Sequence, residues 1–498
     1  MQYATYLDKV RACWLGKNIG GTLGAPFESY RVALDLEYYT HDLSKGVLPN
    51  DDLDLQLVWL NAAERHGTKV DAEILSNYWL KGITAYWSEY GAGMNNLENG
   101  ILPPASGAYK NVFAESCGAF IRSEIWACLN PGQPQLAVKY AYEDACTDHT
   151  GEGIYAALFC AAVQSAAFAE TDRDTLIDIG LSYIPADCQV ANAIAIARAA
   201  FAEGVDWKEA RKRILQAVPG TFGLRYSPQE EGIPQGKLGF DAPSNIGLTV
   251  MAWLFGENDF SKSICIAAGA GEDADCTAGT LAAIFGIMHG TKGIDEKWLL
   301  PIGDEIKTVA ITRASLSLKI PETVSQLTER VVGLMPVFMQ GNLRISQEGV
   351  MEILSAEKPQ KQLWQSGWIE KSDPFWYMYR KDLLLKKHHD LLDVFVMAED
   401  PEIAENTEKE LRFRIINRSG RHLWANLTLH MPAGWGENTK LEYAWFLNEY
   451  ASGSAIAEKT ISVPVGALPQ GQYTVEGVLS VKGFPSKIHI PMTFIKTE

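Results

Sequence analysis

The chain has no basic surplus: 44 Lys and Arg stand against 61 Asp and Glu, a formal charge of −17. That balance argues against broad nucleic-acid or anionic-membrane binding, and an anionic substrate would need bound cations or local Arg and Lys. Long apolar runs are missing too. The stretch from Ile154 to Phe168 is interrupted by Gln164 and Ser165 and falls short of a membrane span. Met1-Gln2-Tyr3-Ala4 lacks the basic and apolar regions of a signal peptide, so a cytoplasmic location is expected. Cysteine is sparse, with eight residues, none after Cys276 and no CxxC pair. Neither a zinc site nor a disulfide framework is expected; Cys13, Cys117, Cys128, Cys160 and Cys265 sit in apolar runs that suit buried reduced thiols. Internal repeats and low-complexity tracts are absent.

What is present is an ordinary globular composition, 47% hydrophobic and 21% charged, in 498 residues, long enough for two or three domains. Residues 1–340 read as mostly helical. From about Leu391 the pattern turns to short alternating strands, such as Leu392–Val396, Leu411–Ile415 and Tyr473–Val481, broken by Gly- and Pro-containing turns. The expected architecture is multidomain: an all-α domain over 1–340, an aromatic-rich connecting segment over 341–386 that includes Trp364 and Trp368, and a small all-β sandwich over 387–498.

Chemistry-bearing residues concentrate in a few places. Asn50-Asp51-Asp52-Leu53-Asp54 precedes the helical period of Leu53, Leu57 and Leu60. Carboxylates there serve either as helix caps, favoured by the macrodipole, or as ligands. A second cluster, Gly271-Glu272-Asp273-Ala274-Asp275-Cys276, lies between apolar helices, where carboxylates are costly unless paired or metal-bound; the following helix is expected to resume at Thr280. Asp54 and Glu272 are expected to face solvent. Together the two acidic pairs suit a divalent cation such as Mg²⁺ or Mn²⁺, which wants oxygen ligands.

Other stretches carry two readings each. A first helix over Tyr6–Ile19 is expected to end in the Gly-rich turn Gly20–Glu28, either a packing site or a ligand approach. A helix over Ala72–Tyr90 leads to a loop over Gly91–Gly107, long enough to be functional or mobile. Arg122 is a lone cation among apolar residues, salt-bridged or ligand-binding. His149, with Gly151 and Gly153 beside it, precedes an Ala-rich helix whose N-terminus can receive an anion.

In this order the elements resemble the ADP-ribosylglycohydrolase family, related to dinitrogenase-reductase-activating glycohydrolase, over roughly residues 8–340. Five pieces carry the resemblance: the Gly-rich turn ending in Glu28, Asp51-Asp52, Gly118-Ala119-Phe120-Ile121-Arg122, His149, and Asp273-Ala274-Asp275. The resemblance implies a compact all-α fold with a binuclear magnesium site, Mn²⁺ being the other candidate, and cleavage of a glycosidic bond in a small-molecule or protein-linked ADP-ribosyl or related ribosyl substrate. It implies metal ligation by Asp51, Asp52, Asp273 and Asp275, flanked by Asn50 and Cys276, with Glu28, Asp52 and Asp273 in catalysis. His149, Gly151 and Gly153 would approach the diphosphate, and Ser106, Gly107 and Arg122 the ribose. Asn50 and Cys276 stand where the family commonly has threonines; an amide oxygen is an acceptable hard ligand, whereas a thiol suits Mg²⁺ poorly. The alternatives are hydrolysis of a different N- or O-glycoside and a non-catalytic relative. The C-terminal strands resemble a bacterial immunoglobulin-like module.

Overall fold

The glycines near residue 20 do not end the first helix. It runs Tyr3–Gly24 and packs along the helix Ala274–His289. A Cβ added at Gly20 would lie 2.2 Å from the Ala278 carbonyl oxygen, and one at Gly24 2.3 Å from that of Ala274. The expected turn is a packing seam, because only residues without a Cβ let two backbones approach this closely.

The structure is a computed structural model that describes residues 1–219, 228–236, 240–312, 318–346, 351–354, 375–435, 440–450 and 455–497. The chain forms two compact units. One comprises Met1–Ala92, Val112–Ala145 and His149–Trp376; the other comprises Gly93–Asn111, Cys146–Asp148 and Tyr377–Glu498. Trp364 and Trp368 lie outside the described residues.

The first unit is helical. Asp51–His66 forms a helix, as the leucine period predicts. The single helix expected over Ala72–Tyr90 is two, Ala72–Gly82 and Ser88–Glu98. The chain leaves the helix at Ile83 because the Thr84 and Ala85 amides turn to the Ala310 carbonyl, at 2.8 and 3.3 Å. That break sets Trp87, Ser88, Glu89 and Tyr90 at a fresh helix start. The Ala-rich helix spans Glu152–Ala166, buried along almost its whole length. Among the described residues no helix is long and apolar enough to cross a membrane. All eight cysteines are buried free thiols.

The second unit holds two antiparallel-rich sheets. One has the strand order Glu402–Ile403, Lys487–Lys496, Gly471–Val481, Leu423–His430, Lys440–Leu447; the other has Leu383–His388, Leu392–Met397, Thr407–Asn417, Ile456–Val465. Alternating residues of both, including Val394, Phe413, Leu427, Val475 and Ile490, fill one core, which gives the expected sandwich. Leu383–His388, Glu402–Ile403 and Lys440–Leu447 escaped the sequence reading; the first begins within the stretch read as a connector. Much of the expected loop over Gly91–Gly107 is helical, in Ser88–Glu98 and the turn Ala105–Ala108. Ile101 and Ala105 join the sandwich core, which orders the segment between them.

Candidate metal centre

Two helix starts deliver the acids. Asn50 is extended and caps the Asp51 helix, its Oδ1 accepting from the Asp52 amide at 2.7 Å. The cap is held from behind, since a Cβ on Gly21 would occupy the place of the Asn50 amide nitrogen. The second start is built by strain and by a strap. Glu272 has φ +59, its amide donates to Tyr30 O at 2.6 Å, and its carbonyl accepts from the Ser29 amide at 2.8 Å. The Asp273 amide then donates to Asn245 Oδ1 at 3.1 Å. The helix begins at Ala274, not Thr280, so Asp275 and Cys276 occupy its first turn. Thr277 turns away, its hydroxyl donating to Ala274 O at 3.1 Å.

Between these starts, ligand atoms of Asp52, Asp275 and Cys276 lie within 4.8 Å of one another, all on buried residues. Cys276 Sγ donates to Asp52 Oδ1 at 3.3 Å. Asp275 is 6% exposed and its Oδ1 has no hydrogen-bond partner. A pocket of about 340 Å³ opens beside them, lined by Asp275 and Cys276 and also by Glu28, Asn50, Asp51, Trp87, Glu89, Tyr90, Cys117, Gly118 and Asp273. Tyr90 Oη donates to Asp51 Oδ2 at 3.2 Å.

The electrostatics are those of crowded acids. Burial, then the charges of Asp52 and Asp273, push the Asp51 and Asp275 carboxyls well above the usual range. Burial and Glu28 raise Asp273 to about 7. Glu28 reaches solvent, yet the surrounding protein and Asp52 raise it as well. The Cys276 thiol is pushed up by burial and then by Asp273, which keeps it a donor. A buried oxygen without a donor, beside mutually repelling carboxylates, fits a divalent cation; the thiol is the soft member of an otherwise hard set.

Sequence reasoning missed the charge behind this cluster. Lys17 is 1% exposed, with Nζ 3.2 Å from Asp52 Oδ2 and 3.1 Å from Glu124 Oε1. Burial alone would lower its ammonium, but Asp52 and Glu124 hold it raised. Gln56 Nε2 donates to Glu124 Oε2 at 2.9 Å and to Asp52 O at 3.1 Å. The signal was faint: a lysine in the largely apolar first helix, beside Asn18.

Two expectations are corrected, and the remaining candidate residues take the following places. Asp54 and Glu272 do not face solvent. Asp54 Oδ2 accepts from the Val309 and Ala310 amides, both at 2.6 Å, and Glu272 is paired with Arg31 at 2.9 Å. Arg122 is fully buried, donating to Asp144 Oδ1 at 2.8 Å and Gly118 O at 2.7 Å and lying over the Trp79 ring. His149 is buried with Nε2 4.0 Å from Glu89 Oε1. Gly151 precedes the Glu152–Ala166 helix with φ +54, and Gly153 packs on His149 and Ala114. Ser106 and Gly107 belong to the second unit, where Ser106 Oγ donates to Thr147 O at 2.7 Å.

Fold and pocket thus define a protein whose helical unit carries a candidate cation site gathered from two helix starts. Residues 2–333 match the family described as ADP-ribosylglycohydrolase, and the chain belongs to that family of glycohydrolases. No curated protein matches it. Among solved structures, the Pseudomonas fluorescens alkylpurine DNA glycosylase AlkC bound to DNA containing an abasic site analog matches at 9% identity, over 91% of this chain and 100% of that one; its TM-score of 0.16 carries no argument.

Proposed function

We propose that the helical unit cleaves the glycosidic bond of an ADP-ribosyl or related ribosyl substrate at a binuclear Mg²⁺ site that also accepts Mn²⁺. The observation that carries this reading is the Asp52–Asp275–Cys276 cluster with its partnerless Asp275 oxygen, at the floor of an open acidic pocket. Asp51, Asp52, Asp273 and Asp275 would hold the cations, with the Asn50 oxygen and Cys276 at the flanks. Bound divalent cations supply a fixed positive field that polarises ribose hydroxyls and water.

The chain's own residues do the rest. Lys17 fixes the Asp52 carboxylate. Glu28, at the solvent side of the pocket and raised in basicity, accepts the proton of the attacking water. Asp273 faces the anomeric carbon and stabilises its positive charge as the bond to the leaving group stretches. Arg122 acts by bracing the Gly118 wall, and His149 by its nearness to Glu89. The C-terminal sandwich is proposed as an immunoglobulin-like module, and 1–340 as the catalytic domain.

Calorimetric titration of the metal-stripped protein with Mg²⁺ or Mn²⁺, paired with a hydrolysis panel of ribosyl substrates, tests this reading. Asp273→Asn should lower turnover by about 10²- to 10⁴-fold with no fall in melting temperature. Absence of cation binding, or full activity in that variant, contradicts the assignment.

A further inference from the structure

We infer that the pocket selects a ribosyl group attached to a planar, cationic aromatic leaving group, the N-ribosylpyridinium class, in preference to a diphosphate-bearing one, with Trp87 as the platform for the ring. This rests on the ribosyl-glycohydrolase reading above and narrows its substrate.

Three observations carry it. The first is charge. Glu28, Asp51, Glu89, Asp273 and Asp275 all line the pocket, and among the described residues no Lys or Arg does. Lys17 is spoken for by Asp52 and Glu124. With Asp52 offset by Lys17, two divalent cations would bring four positive charges against those five carboxylates, so among the described residues the loaded pocket would keep a negative excess. A diphosphate gains nothing from such a field, whereas a cationic ring does.

The second is the aromatic rim. Trp87 lines the pocket while 48% exposed, an uncommon place for a large indole. Its ring lies 6.5 Å from that of Tyr90 at a 32° tilt, and Tyr90 in turn bonds Asp51. The platform is therefore linked to the acids through one residue. Trp is the preferred face for a cation. The third is size: about 340 Å³ lies near the lower end of ligand pockets, which span about 300–1,000 Å³, suiting a ribose and one ring better than a dinucleotide-sized group.

The chemistry balances without a general acid. Water oxygen bonds to the ribosyl C1, the C1–N bond breaks with its electron pair returning to the ring nitrogen, and the ring leaves as neutral pyridine. The proton of water passes to Glu28. The charge that leaves the ring resides on the ribosyl carbon in the transition state, still facing the same carboxylates.

The test uses the full chain with Mn²⁺ or Mg²⁺ and two probes sharing one leaving group: an N-ribosylpyridinium and its 5′-ADP-extended counterpart. The expected kcat/KM is about tenfold or more in favour of the short probe, the scale of a few well-placed charges. Trp87→Ala should raise its KM about tenfold, the size of a lost stacking partner, with kcat little changed, and Trp87→Phe should recover most of the loss. Preference for the ADP-extended probe, or an unmoved KM in Trp87→Ala, overturns the inference. So does turnover of arginine- or serine-linked ADP-ribose with neither pyridinium probe cleaved, an outcome that leaves the glycohydrolase reading standing. Failure of cation binding together with every ribosyl substrate takes both down.

Discussion

Replacing Lys17 with Met removes the ammonium that stands between Asp52 and Glu124 while keeping the side chain's length. All three residues are at most 1% exposed, and the two contacts are 3.2 and 3.1 Å. Breaking a buried pair by deleting one partner costs about 3–5 kcal/mol, because the other charge is left without compensation. Here two carboxylates are stranded. Glu124, already raised to about 7 by burial against the pull of Lys17, takes a proton and limits the loss to the lower part of that range. For a unit longer than the domains that lose about 2–4 °C per kcal/mol, a drop of roughly 5–10 °C follows. Scanning calorimetry of the metal-stripped protein measures it. A carboxyl held above its unfolded value near 4.3 favours the fold only while protonated; without Lys17 the Glu124 carboxyl rises beyond about 7, so the deficit relative to wild type should be flat below that pH and grow as pH rises above it. The double variant Lys17→Met/Glu124→Gln should recover part of the loss, since Gln keeps an oxygen for Gln56 and carries no charge. A deficit below about 1 kcal/mol, the range of exposed ion pairs, would refute the picture of a dry charge network.

Two further outcomes follow from other buried carboxylates. Asp54→Ala deprives the Val309 and Ala310 amides of their acceptor; urea unfolding should show a loss of about 2–4 kcal/mol, and KM should rise because Val309 lines the pocket. In the second unit, burial pushes the Asp393 carboxyl up, but His388 at 2.6 Å and Arg418 outweigh it and hold it below the usual range. Its contribution is therefore present above the ordinary aspartate pKa near 3.9 and lost as pH falls through the lower folded value. The stability difference between wild type and Asp393→Asn, followed by hydrogen exchange in Leu392–Met397, should shrink between about pH 5 and 3; a difference independent of pH would contradict the assignment.

The acidic pairs were legible because they break a rule. Carboxylates at the mouth of apolar helices are expensive, so Asp51, Asp52, Asp273 and Asp275 stood out against Leu- and Ala-rich surroundings. What could not be read was their state. Asp54 and Glu272 have the same local appearance as their neighbours, yet one anchors two amides and the other pairs with Arg31, 241 positions away. Lys17 hid for the same reason: in sequence it is a lysine between Gly16 and Asn18, and its two carboxylate partners come from distant segments. The glycines at 20 and 24 signalled close approach but not the partner, so a turn was expected where a helix continues.

The sequence by itself determined the class of each part, because period 3.6 and period 2 are properties of local order. It determined the two Asp-bearing helix starts, because caps and first-turn acids are local too. Only the tertiary structure decided which acids share a pocket, since that depends on the glycine seam that draws the Ala274–His289 helix against the first helix. It also decided that Trp87 and Glu89 belong to the pocket, by spending the Thr84 and Ala85 amides on Ala310 and ending a helix that the sequence alone would have carried straight through. Bonds between segments more than 200 residues apart make that choice, and no local pattern records them.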